Sequence, residues 1–172
     1  LQHKFALFRH TPEWLDKAFD SKWLLRKAAA RSGMTSSKDL GEITLSTFRG
    51  EDGPLAKEVR KVLDWFKNHG SPDVLFLSTV MLAGIGKVLK RELGIPVFGF
   101  LQGEDSFLDS LLPEYRKEAW KLLSDDVAQL DGCIAPSRYF GDFMADRLGL
   151  DKQIVRHHPN GITLAGFEPE KA

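Results

Sequence analysis

"DVLFLSTVMLAGIGKVLKRELGIPVFGFL" fills residues 73–101, and its pattern decides the fold. "DVLFLS" (73–78) is a short, continuous apolar run. "VMLAGIGKVLKRELG" then reads as a helix closed by Gly94, and "IPVFGFL" (95–101) is a second apolar run. Two strand-length runs around one helix-length segment make a βα unit of a parallel sheet. Strands buried on both faces have no reason to alternate with polar residues, which accounts for the unbroken runs.

The same alternation continues downstream. A long helical stretch interrupted by Pro113 reaches Asp131, and "GCIAPS" (132–137) is a third strand. "RYFGDFMADRLGL" is an amphipathic helix with Phe140, Phe143, Met144 and Leu148 on one face, and "QIVRHH" (153–158) is a fourth strand. Upstream, Leu55, Val59, Val62, Leu63 and Phe66 form a helical stripe that Gly70 ends. "DLGEITLSTFRGED" is ambiguous: Ile43, Leu45 and Thr47 alternate like a strand, whereas Leu40, Ile43 and Thr47 suit a helix. The helix is favoured, starting at Ser36 or Ser37. Thr11-Pro12-Glu13 reads as a helix start, and Asp20 caps a further helix running through Trp23 and Leu24 to Gly33. The fold class is α/β, a Rossmann-like parallel sheet flanked by helices. Residues 1–70 read as a mainly helical N-terminal part, 71–162 as the βα core and 163–172 as the start of a linker.

Lysine plus arginine equals aspartate plus glutamate at 24 each, a balance that calls for neither nucleic acid nor an anionic membrane. One cysteine, Cys133, excludes an internal disulfide framework and a cysteine zinc site, so a reducing cytoplasmic setting fits. No apolar run approaches the roughly 20 residues needed to cross a bilayer. The chain opens Leu1-Gln2-His3-Lys4-Phe5 without methionine, which fits tag removal, disorder or a domain cut in mid-sequence.

In an open parallel sheet, ligands collect at the carboxyl ends of the strands. Four loops are therefore nominated on one edge: Ser78-Thr79, Gln102-Gly103-Glu104-Asp105, Pro136-Ser137-Arg138 and Pro159-Asn160-Gly161. The plain alternative is ordinary turn chemistry, because these residue types end strands for backbone reasons alone. In "QGED", Gln102 offers an amide, Gly103 close backbone approach, and Glu104 and Asp105 carboxylates for sugar hydroxyls or for base chemistry. The bland reading there is that Asp105 or Ser106 caps the next helix, with Glu104 in its first turn.

Other matches fail. "GIGK" (84–87) lacks the third glycine of G-x-G-x-x-G and a Ser/Thr after its lysine, so its glycines fit close helix–sheet packing. His157 and His158 are adjacent on a strand and point to opposite faces, which argues against a shared metal, and no metal site is expected. Cys133, inside an apolar strand, reads as core. Trp14, Trp23, Trp65 and Trp120 sit at helical positions and read as packing.

"APSRYFGDFMADRLGL" followed by "HHPNGI" and "GFEP" resembles the end of the N-terminal domain of a GT-B-fold, family 4-type retaining glycosyltransferase. Ser137, Leu148-Gly149, Pro159-Asn160-Gly161-Ile162 and Phe167-Glu168-Pro169 match, with Thr163 where aspartate is common. The resemblance spans about residues 71–169, and residues 1–70 fit only as a helical insertion. It implies transfer of a sugar from a nucleotide-sugar donor to a sugar or lipid-linked acceptor, with no metal or other cofactor. This domain would supply the acceptor side of the cleft, in a cytoplasmic enzyme that sits free or at the inner membrane face.

The same resemblance implies a second, donor-binding domain beyond the P-N-G turn and earlier strands before Leu1. No E-x7-E pair, the usual donor-side signature, occurs in the chain, so a truncated fragment, inactive alone and prone to self-association, is expected. The resemblance assigns Glu104 and Asp105 to catalysis, and Gln102, Gly103, Ser137, Arg138, Asn160 and Gly161 to substrate contacts. The family often has histidine where this chain has Gln102, and an amide cannot exchange a proton near neutral pH. A non-catalytic α/β binding module and a nucleotide-sugar epimerase are the competing readings.

Overall fold

The computed structural model describes residues 36–163. The helices expected from Thr11 and Asp20, Phe167-Glu168-Pro169 and nearly all of the 163–172 linker lie outside them.

Helix α1 (Ser37–Phe48) begins at Ser36, whose hydroxyl accepts the Asp39 N–H at 3.1 Å. The helical reading of this ambiguous stretch is correct, but the face is not the one expected. Leu40 and Ile43 are exposed, while Gly41, Thr44, Leu45 and Phe48 are buried. The Tyr115 ring sets this rotation, because a Cβ on Gly41 would lie 2.4 Å from it.

Helix α2 (Ala56–His69) buries Val59 and Leu63 against Val88 and Leu89 and stops at Gly70. Val62 and Trp65 of the expected stripe and packing set are instead exposed, with Trp65 stacked on His69 at 4.8 Å between ring centroids. Helix α2 thus packs through Val59 and Leu63, with half-buried Phe66 beside them, and leaves the rest of the stripe uncovered.

The rest is βα alternation: β1 (Leu75–Leu77), α3 (Ala83–Leu93), β2 (Val97–Phe100), α4 (Glu104–Ser110), α5 (Pro113–Val127), β3 (Gly132–Ala135), α6 (Arg138–Leu148) and β4 (Val155–His157). Pro113 separates α4 from α5 by taking the first-turn position where its missing N–H costs nothing. Gly94 and Gly149 end α3 and α6 in the left-handed conformation. The four strands are all parallel in the order β1-β2-β3-β4, with Leu77 beside Gly99, Gly99 beside Cys133, and Ala135 beside His157.

Each strand lies next to its predecessor and the sheet grows in one direction. Right-handed crossovers then put every connecting helix on the same face. That face carries Leu77, Val97, Cys133 and Ala135, and the core forms there with Val127, Leu123, Met144 and Leu148 from α5 and α6. The opposite face is only partly covered among the described residues: Phe76 is 50% exposed, and Phe98, Phe100 and Ile134 are half-buried. The expectation that the strands are buried on both faces therefore fails for this portion.

The two glycines of "GIGK" serve different neighbours. A Cβ on Gly86 would lie 2.6 Å from the Leu77 side chain, which is the expected approach of helix to sheet. A Cβ on Gly84 would lie 2.0 Å from the Phe48 carbonyl oxygen, so this glycine admits α1 rather than the sheet. Next to them Lys87 Nζ bonds the buried Asp126 carboxylate at 2.6 Å, tying α3 to α5.

Candidate active site

Because the strands are parallel, their carboxyl ends and the four nominated loops share one edge. Glu104 organises the first two loops of the row. It is 3% exposed, and one carboxylate oxygen accepts the Thr79 hydroxyl at 2.6 Å while the other accepts the Gln102 N–H at 2.7 Å. Thr79 in turn accepts the Met81 N–H at 3.2 Å, so β1's exit loop is pinned to β2's.

Helix α4 starts at Gly103, whose φ of 98° lies in the left-handed region that glycine enters without strain. Among the described residues no side chain caps this helix, which corrects the reading that Asp105 or Ser106 does so. Glu104 reaches backward instead, because a buried carboxylate needs donors and the Gln102 N–H and Thr79 hydroxyl supply them. Its oxygens meet loop atoms, while Gln102 and Gly103 are exposed and Asp105 is half-buried.

Two further backbone bonds close the row of loops: Leu101 N–H to the Ile134 carbonyl, and His158 N–H to the Ala135 carbonyl, each 2.9 Å. Ser137 caps α6, its hydroxyl accepting the Phe140 N–H at 3.1 Å. Ser137→Ala is expected to lower unfolding stability by about 0.5–2 kcal/mol, read by urea titration. An unchanged midpoint would mean that the cap bond contributes nothing.

A cavity of about 110 Å³ opens between β3 and β4, lined by Ser137, Arg138, Gly141, Asp142 and His157 among others. A Cβ on Gly141 would meet the Ala135 Cβ at 3.1 Å and Val155 at 3.2 Å, so this glycine lets α6 lie on the two strands. His157 was missed as a rim residue. The signal was its register, since it ends β4 opposite Ala135 just as Ser137 follows β3. Asn160 and Gly161 are exposed at the end of the row. Cys133 is fully buried beneath the edge, its thiol pushed up to about 12 by burial and then by the Glu104 charge. That thiol is core, as expected.

Glycosyltransferase Family 4 matches residues 40–165. The chain belongs to that family. The match to Glycosyltransferase Family 4 takes in α1 and α2, which the motif resemblance beginning near residue 71 had left out. It makes the sheet the Rossmann-like half of a GT-B architecture and supports a glycosyltransferase-type function. No curated protein and no solved structure matches the chain. Among the described residues, no helix is long and apolar enough to cross a membrane.

Proposed function

We propose that this chain forms the acceptor-side half of a retaining glycosyltransferase cleft. There a sugar would pass from a nucleotide-sugar donor to an acceptor hydroxyl, the bond from the anomeric carbon to the nucleotide's phosphate breaking as the new glycosidic bond forms. The observation that carries this reading is the pinned row of four polar loops on one sheet edge, in a member of this family.

Exposed Gln102 would hydrogen-bond sugar hydroxyls, and Gly103 would let the substrate approach the backbone. Asp105 is the carboxylate placed to meet a hydroxyl at the edge. Ser137 and Arg138 would line the acceptor path beside the cavity, with Asn160 and Gly161 at its end. Glu104 would act through Gln102 and Thr79, holding the loop that carries the contacts. Its full set of partners favours positioning over direct proton transfer. A binding module without catalysis is the second reading, and the amide of Gln102 is what favours it.

Titrating the isotope-labelled chain with a panel of acceptor sugars and nucleotide sugars tests the proposal by backbone amide shifts. Shifts should gather at Ser78–Thr79, Gln102–Asp105, Ser137–Tyr139 and His158–Gly161 with acceptor sugars. Shifts confined to the cavity at the other end of α3, lined by Glu51, Lys87 and Arg91, would overturn it.

A further inference from the structure

Tyr139 is 80% exposed, the highest value among the large apolar side chains described, yet its ring is held in place. It stacks on Phe143 one helical turn later, with 6.4 Å between ring centroids and 7° between planes. The Arg147 guanidinium lies over Phe143 at 5.8 Å and over Trp120 of α5 at 4.1 Å, and it bonds the Asp109 carboxylate of α4. The stripe Tyr139–Phe143–Arg147 on α6 is thus anchored by α4 and α5. Of the exposed aromatic residues described, Trp65 lies within α2 and Phe76 within β1, and only Tyr139 directly follows an edge loop.

Helices α4 and α6 both start at the carboxyl edge of the sheet, since α4 follows β2 and α6 follows β3. The stripe of α6 that faces α4 therefore begins, at Tyr139, on the side of the Gln102–Asp105 loop. The adjoining stripe, Arg138 and Asp142, lines the cavity that reaches Ser137 and His157. Residues three apart are neighbours on a helix surface, so Tyr139 borders Asp142 and the mouth of that cavity.

The size of the cavity limits what enters it. At about 110 Å³ it falls well short of the roughly 300 Å³ of the smallest ordinary ligand pockets, so it accepts a substituent and not a ring. Its hydroxyl, guanidinium, carboxylate and imidazole groups suit a polar substituent such as a hydroxymethyl. The ring carrying that substituent would lie at the mouth, against Tyr139. A pyranose has both parts. Hydroxyls surround its rim, and one face presents C–H groups whose polarised hydrogens are attracted by the electron-rich face of an aromatic ring. An open-chain polyol offers no such rigid face.

We propose that the acceptor is itself a pyranoside, its C–H face stacked on Tyr139 and one polar substituent in the Ser137–Arg138–His157 cavity. This rests on the acceptor-side reading and narrows it, from any hydroxyl to a hydroxyl on a sugar ring. Because Phe143 already fixes the Tyr139 ring, little side-chain freedom is lost when the sugar binds.

The test is an NMR titration of the 172-residue chain with the methyl glycosides of glucose, galactose and mannose, and with sorbitol as the open-chain control. At least one glycoside should shift the Gln102–Asp105 and Ser137–Tyr139 amides. Its own C–H protons should move upfield in the ring current of Tyr139, a signal read on the unsubstituted chain and so independent of how a variant folds. Tyr139→Leu should weaken that glycoside about 5- to 10-fold and abolish the upfield movement, whereas Tyr139→Phe should change the affinity by less than about 2-fold. Glycoside binding that Tyr139→Leu leaves intact, or sorbitol binding as tightly, would overturn the proposal and leave the transferase reading in place. So would shifts along the row with nucleotide sugars but with none of the glycosides. Absence of shifts with both ligand classes would sink the acceptor-side reading, and this inference with it.

Discussion

Lys87→Met is expected to lower unfolding stability by about 3–5 kcal/mol at neutral pH, the cost of leaving a buried carboxylate without its partner. For a chain of this length that is roughly 6–20 °C in Tm. Asp126 is 2% exposed, and one of its oxygens, Oδ2, has no hydrogen-bond partner among the described residues, so Lys87 on the other oxygen is its chief compensation there. Burial holds the Asp126 carboxyl above its ordinary range, with the hydrogen bond and charge of Lys87 opposing the shift.

The folded chain therefore prefers the protonated form more than the unfolded chain does. Stability from this group is fully present below the unfolded value near 4 and is lost as pH rises through the folded value. Removing Lys87 takes away the opposing effects and widens that window. The deficit of the variant against the parent should be largest at pH 7 and shrink as pH falls toward about 4. Urea titrations of both proteins at several pH values measure it. An equal deficit throughout would show that Lys87 acts by packing its aliphatic stem, and Asp126→Asn added to Lys87→Met should recover part of the loss.

On the proposed function, Glu104→Gln should lower kcat/KM for glycosyl transfer about 10- to 100-fold. An amide in place of the carboxylate presents an NH2 group to one of two donors, the Thr79 hydroxyl or the Gln102 N–H, and one charge-assisted bond is lost. Such a bond is worth about 1.5–3 kcal/mol. If its loss displaces Gln102 in the transition state, the stated rate change follows. Thr79→Val removes the same bond from the other side and should act in the same direction. Lys117→Gln, on the exposed side of α5, is the reference variant and should leave both rate and melting unchanged. A Glu104 variant that melts earlier yet keeps its kcat/KM per folded molecule would confine Glu104 to stability.

The strands were legible because short apolar runs between glycine and proline signals have few other readings, and all four fall where the runs predict. The row of edge loops was legible for the same reason, since parallel strands send their carboxyl ends to one side. The role of Glu104 was not. Its neighbours in sequence suggested a helix cap, whereas its partner Thr79 lies 25 residues away and meets it only once β1 and β2 pair. His157 was hidden likewise, because only the register against Ala135 brings it to the rim.

The sequence by itself determined local matters: which segments are strands and helices, where Gly70, Gly94, Gly149 and Pro113 bound them, and the parallel α/β class. It also determined that Cys133 is core, since an apolar run around one thiol leaves it no solvent. Tertiary structure alone decided which side of α1 and of α3 is inside. Periodicity defines an apolar arc, but the Tyr115 ring against Gly41 and the Phe48 carbonyl against Gly84 select the rotation within it. It also decided that the helices share one face of the sheet. That follows from strand order and the handedness of the crossovers, and neither is a property of any one stretch of residues.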